Sequence, residues 1–222
     1  MRGDPLVVDR YMATAAPRKL QIGTGLHDLP GWLNTDIAPR PGQVYLDATR
    51  PLPFPDGSFG YVYAEQLIEH ISHDSAIGLL KECRRILTPG GRVRLATTDL
   101  VQVLRLFDKT LTPVQQRVLE YSLQVNPPAR TLTPECSILN LTFRAWGHEF
   151  IYDAPSLTAT LELAGFQPAK RYALGESDDE HLKGVEMHWK DYVPGNGEQP
   201  KAEIAARQID DYVSMYLEAP RP

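Results

Sequence analysis

Five short stretches hold the residues best placed to do chemistry. Gly23-Thr24-Gly25 follows directly on the apolar run KLQI. Glycines after a strand let a ligand approach the backbone, whose peptide N–H groups can then face polar groups of a nucleotide. Asp36 closes LNTD and Asp47 closes VYLD. A carboxylate at the end of such a strand can accept both hydroxyls of a ribose. Further on, His148 stands between Trp146 and Glu149, and Asp99 follows RVRLATT. Histidine titrates near neutrality, which makes it the commonest general base; a packed, hydrogen-bonded ring is the plainer reading of His148. Asp99 reads as a base or as a helix cap.

Alone, the glycines say little, since G-x-G also occurs in ordinary turns. A dinucleotide fingerprint needs a third glycine where Asp28 stands, so a nicotinamide Rossmann site is disfavoured. His70 shares a helix face with Gln66, where a substrate role competes with a hydrogen bond to a neighbouring loop. His181 and His188 lie in the expected C-terminal strand region, with an acidic run, Asp178 to Glu180, nearby that reads as a solvated loop, and no metal site is expected. Cys83 and Cys136 are too few for a disulfide framework; Cys83 falls on an apolar helix stripe and reads as a buried thiol.

The elements that would position these groups alternate. Strands are expected at 19–23, 33–37, 44–47, 61–64 and 92–97. A helix capped by Ser72 runs to about Leu87 on the period of Ala76, Leu79, Leu80, Cys83 and Leu87, and Pro89-Gly90-Gly91 stops it. Alternation of this kind indicates an α/β sheet covered on both faces. Nineteen prolines in 222 residues interrupt it. Those from Pro30 to Pro55 keep the first connections short and non-helical, while Pro113, Pro127, Pro128 and Pro134 break residues 100–147 into short helices. Ten residues separate Gly25 from Asp36, too few for a full helix and two turns. A helix capped by Ser156 and stopped by Gly165 is expected next, then strands near 167–174 and 185–190. A Gly/Pro/Asn linker follows at 194–200, then a last helix over 202–217. Ile204, Ile209, Tyr212, Val213 and Tyr216 on that helix face either their own domain or a second subunit, so a homodimer is one expectation. The division expected is an arm at 1–18, one domain at 19–193 with an insertion at about 100–150, and a linker and helix at 194–222. Tyr11 and Met12 of the arm either close over a ligand or dock the arm.

Composition narrows the field. A net charge of -5 argues against a general nucleic-acid binder. No apolar run reaches the length of a membrane span, and the N-terminal residues lack a signal-peptide core, so a cytoplasmic location is the default expectation.

Laid end to end, KLQIGTG, GWLNTDI, PLPFPDGSF, YVYAEQLIEHI, ECRRIL and LTPGG resemble the class I S-adenosylmethionine-dependent methyltransferases. The likeness is closest to the small bacterial type 11-like group. It spans residues 19–99, with a weaker continuation through Gly147–Asp153 to Ala164-Gly165-Phe166. The resemblance implies a Rossmann-like fold, a mostly parallel sheet with helices on both faces and a helical insertion before the last strands. It also implies S-adenosylmethionine as cofactor and S-adenosylhomocysteine as product. In such a fold Gly23, Thr24 and Gly25 would face the methionine end. Asp36 would bind the ribose, Ile37 and Ala48 the adenine, and Asp47 its exocyclic amine. Glu65 and Gln66 would flank the methionine or the substrate. Gln21 departs from the pattern, standing where many relatives carry an acid.

A methyl acceptor oxygen calls for a base, an amine only for neutrality. By analogy with the group, the expected reaction is methylation of a hydroxyl on a sugar, glycan or natural product, with His148 or Asp99 as base. The alternatives are N-methylation and a catalytically silent binding subunit.

Overall fold

The computed structural model describes residues 5–14, 17–125, 131–192 and 200–222. The linker expected at 194–200 and the helix break at Pro127-Pro128 fall almost wholly outside these residues.

Seven strands form one sheet: β1 (Lys19–Ile22), β2 (Leu33–Asp36), β3 (Val44–Tyr45), β4 (Phe59–Glu65), β5 (Leu87–Thr98), β6 (Lys170–Tyr172) and β7 (Ser214–Pro220). Their order is β3-β2-β1-β4-β5-β7-β6. The first five pair in parallel, with Leu20 beside Leu33 and Val62, and Val62 beside Val93. β7 inserts antiparallel between β5 and β6, setting Leu95 beside Leu217. The carboxyl ends of β1 to β5 therefore share one edge, and the order reverses between β1 and β4. Ligands of open α/β sheets bind at such a switch point.

Alternation sorts each strand. Leu20, Ile22, Val62, Ala64, Val93, Leu95 and Leu217 join one large core cluster. Helices α2 (His73–Ile86) and α6 (Ala154–Leu163) supply Ala76, Leu79, Leu80, Leu157 and Leu161 to the same cluster. Burying one such leucine side chain contributes about 1.5–3 kcal/mol. The arm's helix α1 (Pro5–Met12) docks there too, through Val7, Val8, Tyr11 and Met12. Tyr11 donates its hydroxyl to the Lys19 carbonyl at 2.7 Å, so docking is what this residue does. On the other face Tyr63, Ala96 and Tyr216 pack with Leu29, Trp32, Leu182 and Val185.

Of the turn or short helix that its length allows, the segment after β1 forms turns alone. Side-chain amides brace it instead. Gln21 donates to the His27 carbonyl at 3.1 Å and accepts the Leu29 N–H at 3.2 Å. Asn34 repeats this two-way bond with Leu29. An acid at position 21 could only accept, which accounts for the glutamine.

The insertion holds α3 (Leu100–Leu104), α4 (Pro113–Val125) and α5 (Pro134–Arg144). Their buried faces meet helix α7 (Pro200–Val213) in a second core of Leu106, Val118, Leu119, Ile138 and Ile209.

Three expectations for the C-terminal half change. The N-cap of α6 is Asp153, which accepts the Ser156 N–H at 2.8 Å; Ser156 lies in the first turn. Residues 185–190 form no strand; His188–Tyr192 is a short 3-10 helix. The last helix ends at Val213, and Ser214–Pro220 is a central strand. Buried on both faces, that strand shows no period-two alternation by which to tell it from helix.

Candidate active site

Two cavities open along the carboxyl edge. The first, about 280 Å³, lies over β1, β2 and β3 and is lined by Gly23, Asp36, Ile37, Asp47, Ala48, Leu67 and His70 among others. At its base Gly23 takes φ +70°, a conformation that costs side-chain-bearing residues about 1–2 kcal/mol. A Cβ there would sit 2.2 Å from Leu67 Cδ1.

Asp36 gives one carboxylate oxygen to the Gly25 N–H at 2.9 Å and the other to the Ala38 N–H at 2.8 Å. Each oxygen keeps a further lone pair, so the carboxylate is oriented while still able to accept from a ribose. Asp47 accepts the Thr49 hydroxyl at 2.6 Å and its N–H at 2.9 Å. Those two bonds hold its carboxyl below the ordinary range, and Arg50 at 3.8 Å adds to them. Ile37 projects at 62% exposure beside the cavity, while Ala48 and Leu46 are buried in its wall. Two carboxylates for hydroxyls and an amine, apolar walls for a base and a glycine floor are the donor set an adenosyl group needs.

The second cavity, about 250 Å³, is lined by Gln66, His70, Thr98, Tyr121, Trp146, His148 and His188. His70 belongs to both cavities and stands where they meet. A narrow, mainly apolar recess of about 50 Å³ continues from the chamber between the insertion helices and α7. The His70 and His148 rings meet edge to face at 4.7 Å. His148 Nδ1 lies 2.6 Å from the Thr142 carbonyl, which obliges that nitrogen to carry the proton and leaves the lone pair on Nε2. Burial, reinforced by His148, pushes the His70 imidazole below its ordinary pKa; Glu69 opposes this.

Gln66 is a non-glycine residue at φ 46°. Its N–H donates to the Ala96 carbonyl at 2.8 Å and its amide to Ser214 Oγ at 3.1 Å, which hold it against that strain. Strained residues at a strand end cluster at functional sites. Here the strain turns the chain from β4 so that Gln66 walls the chamber.

Three expected site residues are engaged elsewhere. Thr24 is buried, and its hydroxyl accepts the Thr35 N–H at 3.1 Å, tying the glycine turn to β2. Asp99 caps α3 through the Val101 N–H at 3.0 Å and pairs with Arg171 at 2.7 Å; it lines none of the three cavities described. Glu65 also lies off all three, accepting the N–H groups of Met187 and His188 at 3.0–3.1 Å. Burial first, then the nearby Asp210, pushes its carboxyl up to about 7.

Sequence reasoning missed one chamber residue of consequence. His188 reaches the wall from the 3-10 helix before α7, with Nδ1 2.8 Å from Asp210 Oδ1. No local spacing signals that pair, because 21 residues separate its members.

Residues 33–95 match the family model described as a methyltransferase domain. No curated protein matches the chain. Among solved structures, an S-adenosylmethionine-dependent methyltransferase of Mesorhizobium loti shares the fold with a TM-score of 0.50 at 13% identity, over 98% of this chain and 96% of that one. A methyltransferase of Thermotoga maritima, described as a possible histamine N-methyltransferase, gives 0.48 at 15%, over 97% and 87%. Phosphoethanolamine N-methyltransferase 2 of Haemonchus contortus, solved with S-adenosyl-L-methionine, gives 0.46 at 13%, over 98% and 52%. The matched segment runs from β2 into β5, and the likeness to the Mesorhizobium loti structure is one of fold.

Among the described residues no helix is long and apolar enough to cross a membrane, and no cluster of three or more His, Cys, Asp or Glu side chains could hold a metal ion.

Proposed function

We propose that the protein methylates a hydroxyl group of a small acceptor, a sugar, glycan or natural product. The observation that carries this reading is the histidine-walled chamber beside the adenosyl groove, with His70 shared between the two. S-adenosylmethionine, when bound, supplies an electrophilic methyl group whose departing sulfur keeps the bonding pair. Gly23, Asp36, Ile37, Asp47 and Ala48 would hold it. Thr24 and Gly25 would act through the backbone turn they build. Gln66 and His70 would separate groove from chamber and exclude water from the methyl path.

An alcohol is a poor nucleophile until its proton has somewhere to go, and imidazole nitrogens on the chamber wall, His148 Nε2 among them, offer that. A neutral amine would need none of them. The chamber's size suits a monosaccharide or a phenol, and the apolar recess suits a short alkyl or aryl substituent.

Titration calorimetry with S-adenosylhomocysteine tests the cofactor reading: micromolar binding is expected, and none at millimolar ligand overturns it. Methyl-labelled S-adenosylmethionine, offered with sugar, phenol and amine acceptors, tests the atom. Label on oxygen supports the proposal, and label confined to nitrogen replaces it with N-methylation.

A further inference from the structure

Resting on the methyltransferase reading, we propose that His188 is the group that takes the acceptor's proton, with Asp210 and Glu65 as its positioning residues. The three chamber histidines have different partners. His148 Nδ1 faces a neutral carbonyl, that of Thr142. His70 is disfavoured as a cation by burial and by its neighbour His148. His188 alone of the three meets a carboxylate through a ring nitrogen: Asp210 Oδ1 lies 2.8 Å from Nδ1, with the Asp210 side chain 1% exposed and the His188 side chain 27%. An imidazolium formed at His188 on proton transfer would therefore be compensated by a buried negative charge.

The surroundings of Asp210 support its role as acceptor. Its second oxygen, Oδ2, accepts the Tyr216 hydroxyl at 2.9 Å. With a donor on each side, the carboxylate holds the proton of the neutral ring on Nδ1 and leaves the lone pair on Nε2. Glu65, at the end of β4, fixes the other half of the residue, accepting the His188 and Met187 N–H groups. Ring and backbone are thus held by two buried acids from different elements, one on β4 and one on α7. The titratable groups around the ring are Asp210 from α7, Glu65 from β4, and His70, His148 and Tyr121 across the chamber. In the step itself the acceptor O–H bond breaks, its proton forms an N–H bond at Nε2, and the oxygen keeps the electron pair with which it attacks the methyl carbon.

Nitrogen-15 NMR of the histidine rings, recorded with saturating S-adenosylhomocysteine, tests this without an acceptor. The neutral wild-type His188 ring is expected as the Nδ1–H form. In Asp210→Asn, the new amide donates to Nδ1 and drives the proton to Nε2. The equivalent change in a serine-protease triad leaves the geometry intact and lowers turnover about 10⁴-fold through the wrong tautomer. Diethyl pyrocarbonate should label His188 at least about tenfold more slowly in the variant, since Nε2 then lacks its lone pair. A wild-type ring in the Nε2–H form, or a folded Asp210→Asn protein with an unchanged tautomer, overturns the assignment; if the variant does not fold, the wild-type tautomer decides alone. Absence of S-adenosylhomocysteine binding in parallel calorimetry would remove the methyltransferase reading, while a second set of spectra, recorded without it, still reports the tautomer of His188.

Discussion

Leu67 occupies the space that any side chain at position 23 would need: its Cδ1 lies 2.2 Å from where a Cβ on Gly23 would be. The two residues follow the ends of neighbouring strands, β1 and β4, and both line the cavity proposed to hold the adenosyl group. Gly23→Ala meets both the positive φ and this contact. The backbone alone costs about 1–2 kcal/mol. Leu67 must also swing into the groove, so S-adenosylhomocysteine affinity should fall at least tenfold, on the order of 1.4 kcal/mol. Calorimetry and urea unfolding on the same variant separate the two effects; unchanged affinity in a folded variant contradicts this placement of the cofactor.

Asp36 both shapes the glycine turn and offers lone pairs to the groove. Asp36→Ala removes the acceptor for the Gly25 and Ala38 N–H groups. Both are solvent-accessible positions, so stability should fall by only about 1 kcal/mol. Binding should suffer more, by about 2–3 kcal/mol for two hydrogen bonds to a charged group, which is roughly 30- to 150-fold in Kd. A loss in Kd no larger than the loss in stability would place the ribose elsewhere.

Glu65 predicts a pH dependence with a definite sign. Its carboxyl titrates at about 7 in the fold against an ordinary 4.5. Below 4.5 both states are protonated, and the contribution to stability is complete. Between 4.5 and 7 the unfolded chain loses the proton that the native state keeps, so stability falls as pH rises and the contribution is gone above 7. The shift corresponds to roughly 3 kcal/mol. His70, pushed the other way, runs opposite in sign, so the difference between wild type and Glu65→Gln is the quantity to follow. Urea midpoints from pH 5 to pH 8 should show the variant gaining on the wild type; parallel curves would contradict a buried, neutralised Glu65.

Arg94 lies fully buried on the face opposite the main core, between Glu186, 2.5 Å from its Nε, and Glu218. Tyr172 and Tyr216 stack near the guanidinium at 5.7 and 5.9 Å. Arg94→Met strands two buried carboxylates and should cost about 3–5 kcal/mol. Burial already pushes the Glu186 carboxyl upward, so the loss should be larger at pH 8 than at pH 5. Replacing Arg94, Glu186 and Glu218 together by apolar residues should recover most of the stability. A single variant as stable as wild type would show that water reaches the site.

Much of the amino half was legible because its signals are local. The strand ending at Gly23, the acids closing β2 and β3, the Ser72 cap and the ten-residue gap after Gly25 each act within a few residues. The gap by itself left room for no more than a turn or a short helix. The reason Gln21 replaces an acid became visible only once His27 and Leu29 were seen folded back onto it.

The carboxyl half was less legible for the opposite reason. Ser214–Pro220 is paired on both sides, between β5 and β6, and buried along nearly its whole length, and a strand so placed carries no alternation. Glu65 and Asp99 stood at the right edge by position, yet pairing with Met187, His188 and Arg171 drew their side chains away from the cavities.

The sequence by itself determined the local framework of the first cavity, since glycine turns, strand-end carboxylates and proline-limited connections act on their own neighbours in the chain. The tertiary structure decided the histidine-walled chamber. His70, His148 and His188 come from three separate segments, and Asp210 from a fourth. Their chemistry depends on distances of 2.6–4.7 Å that exist only after the insertion, the 3-10 helix and α7 pack over the sheet edge.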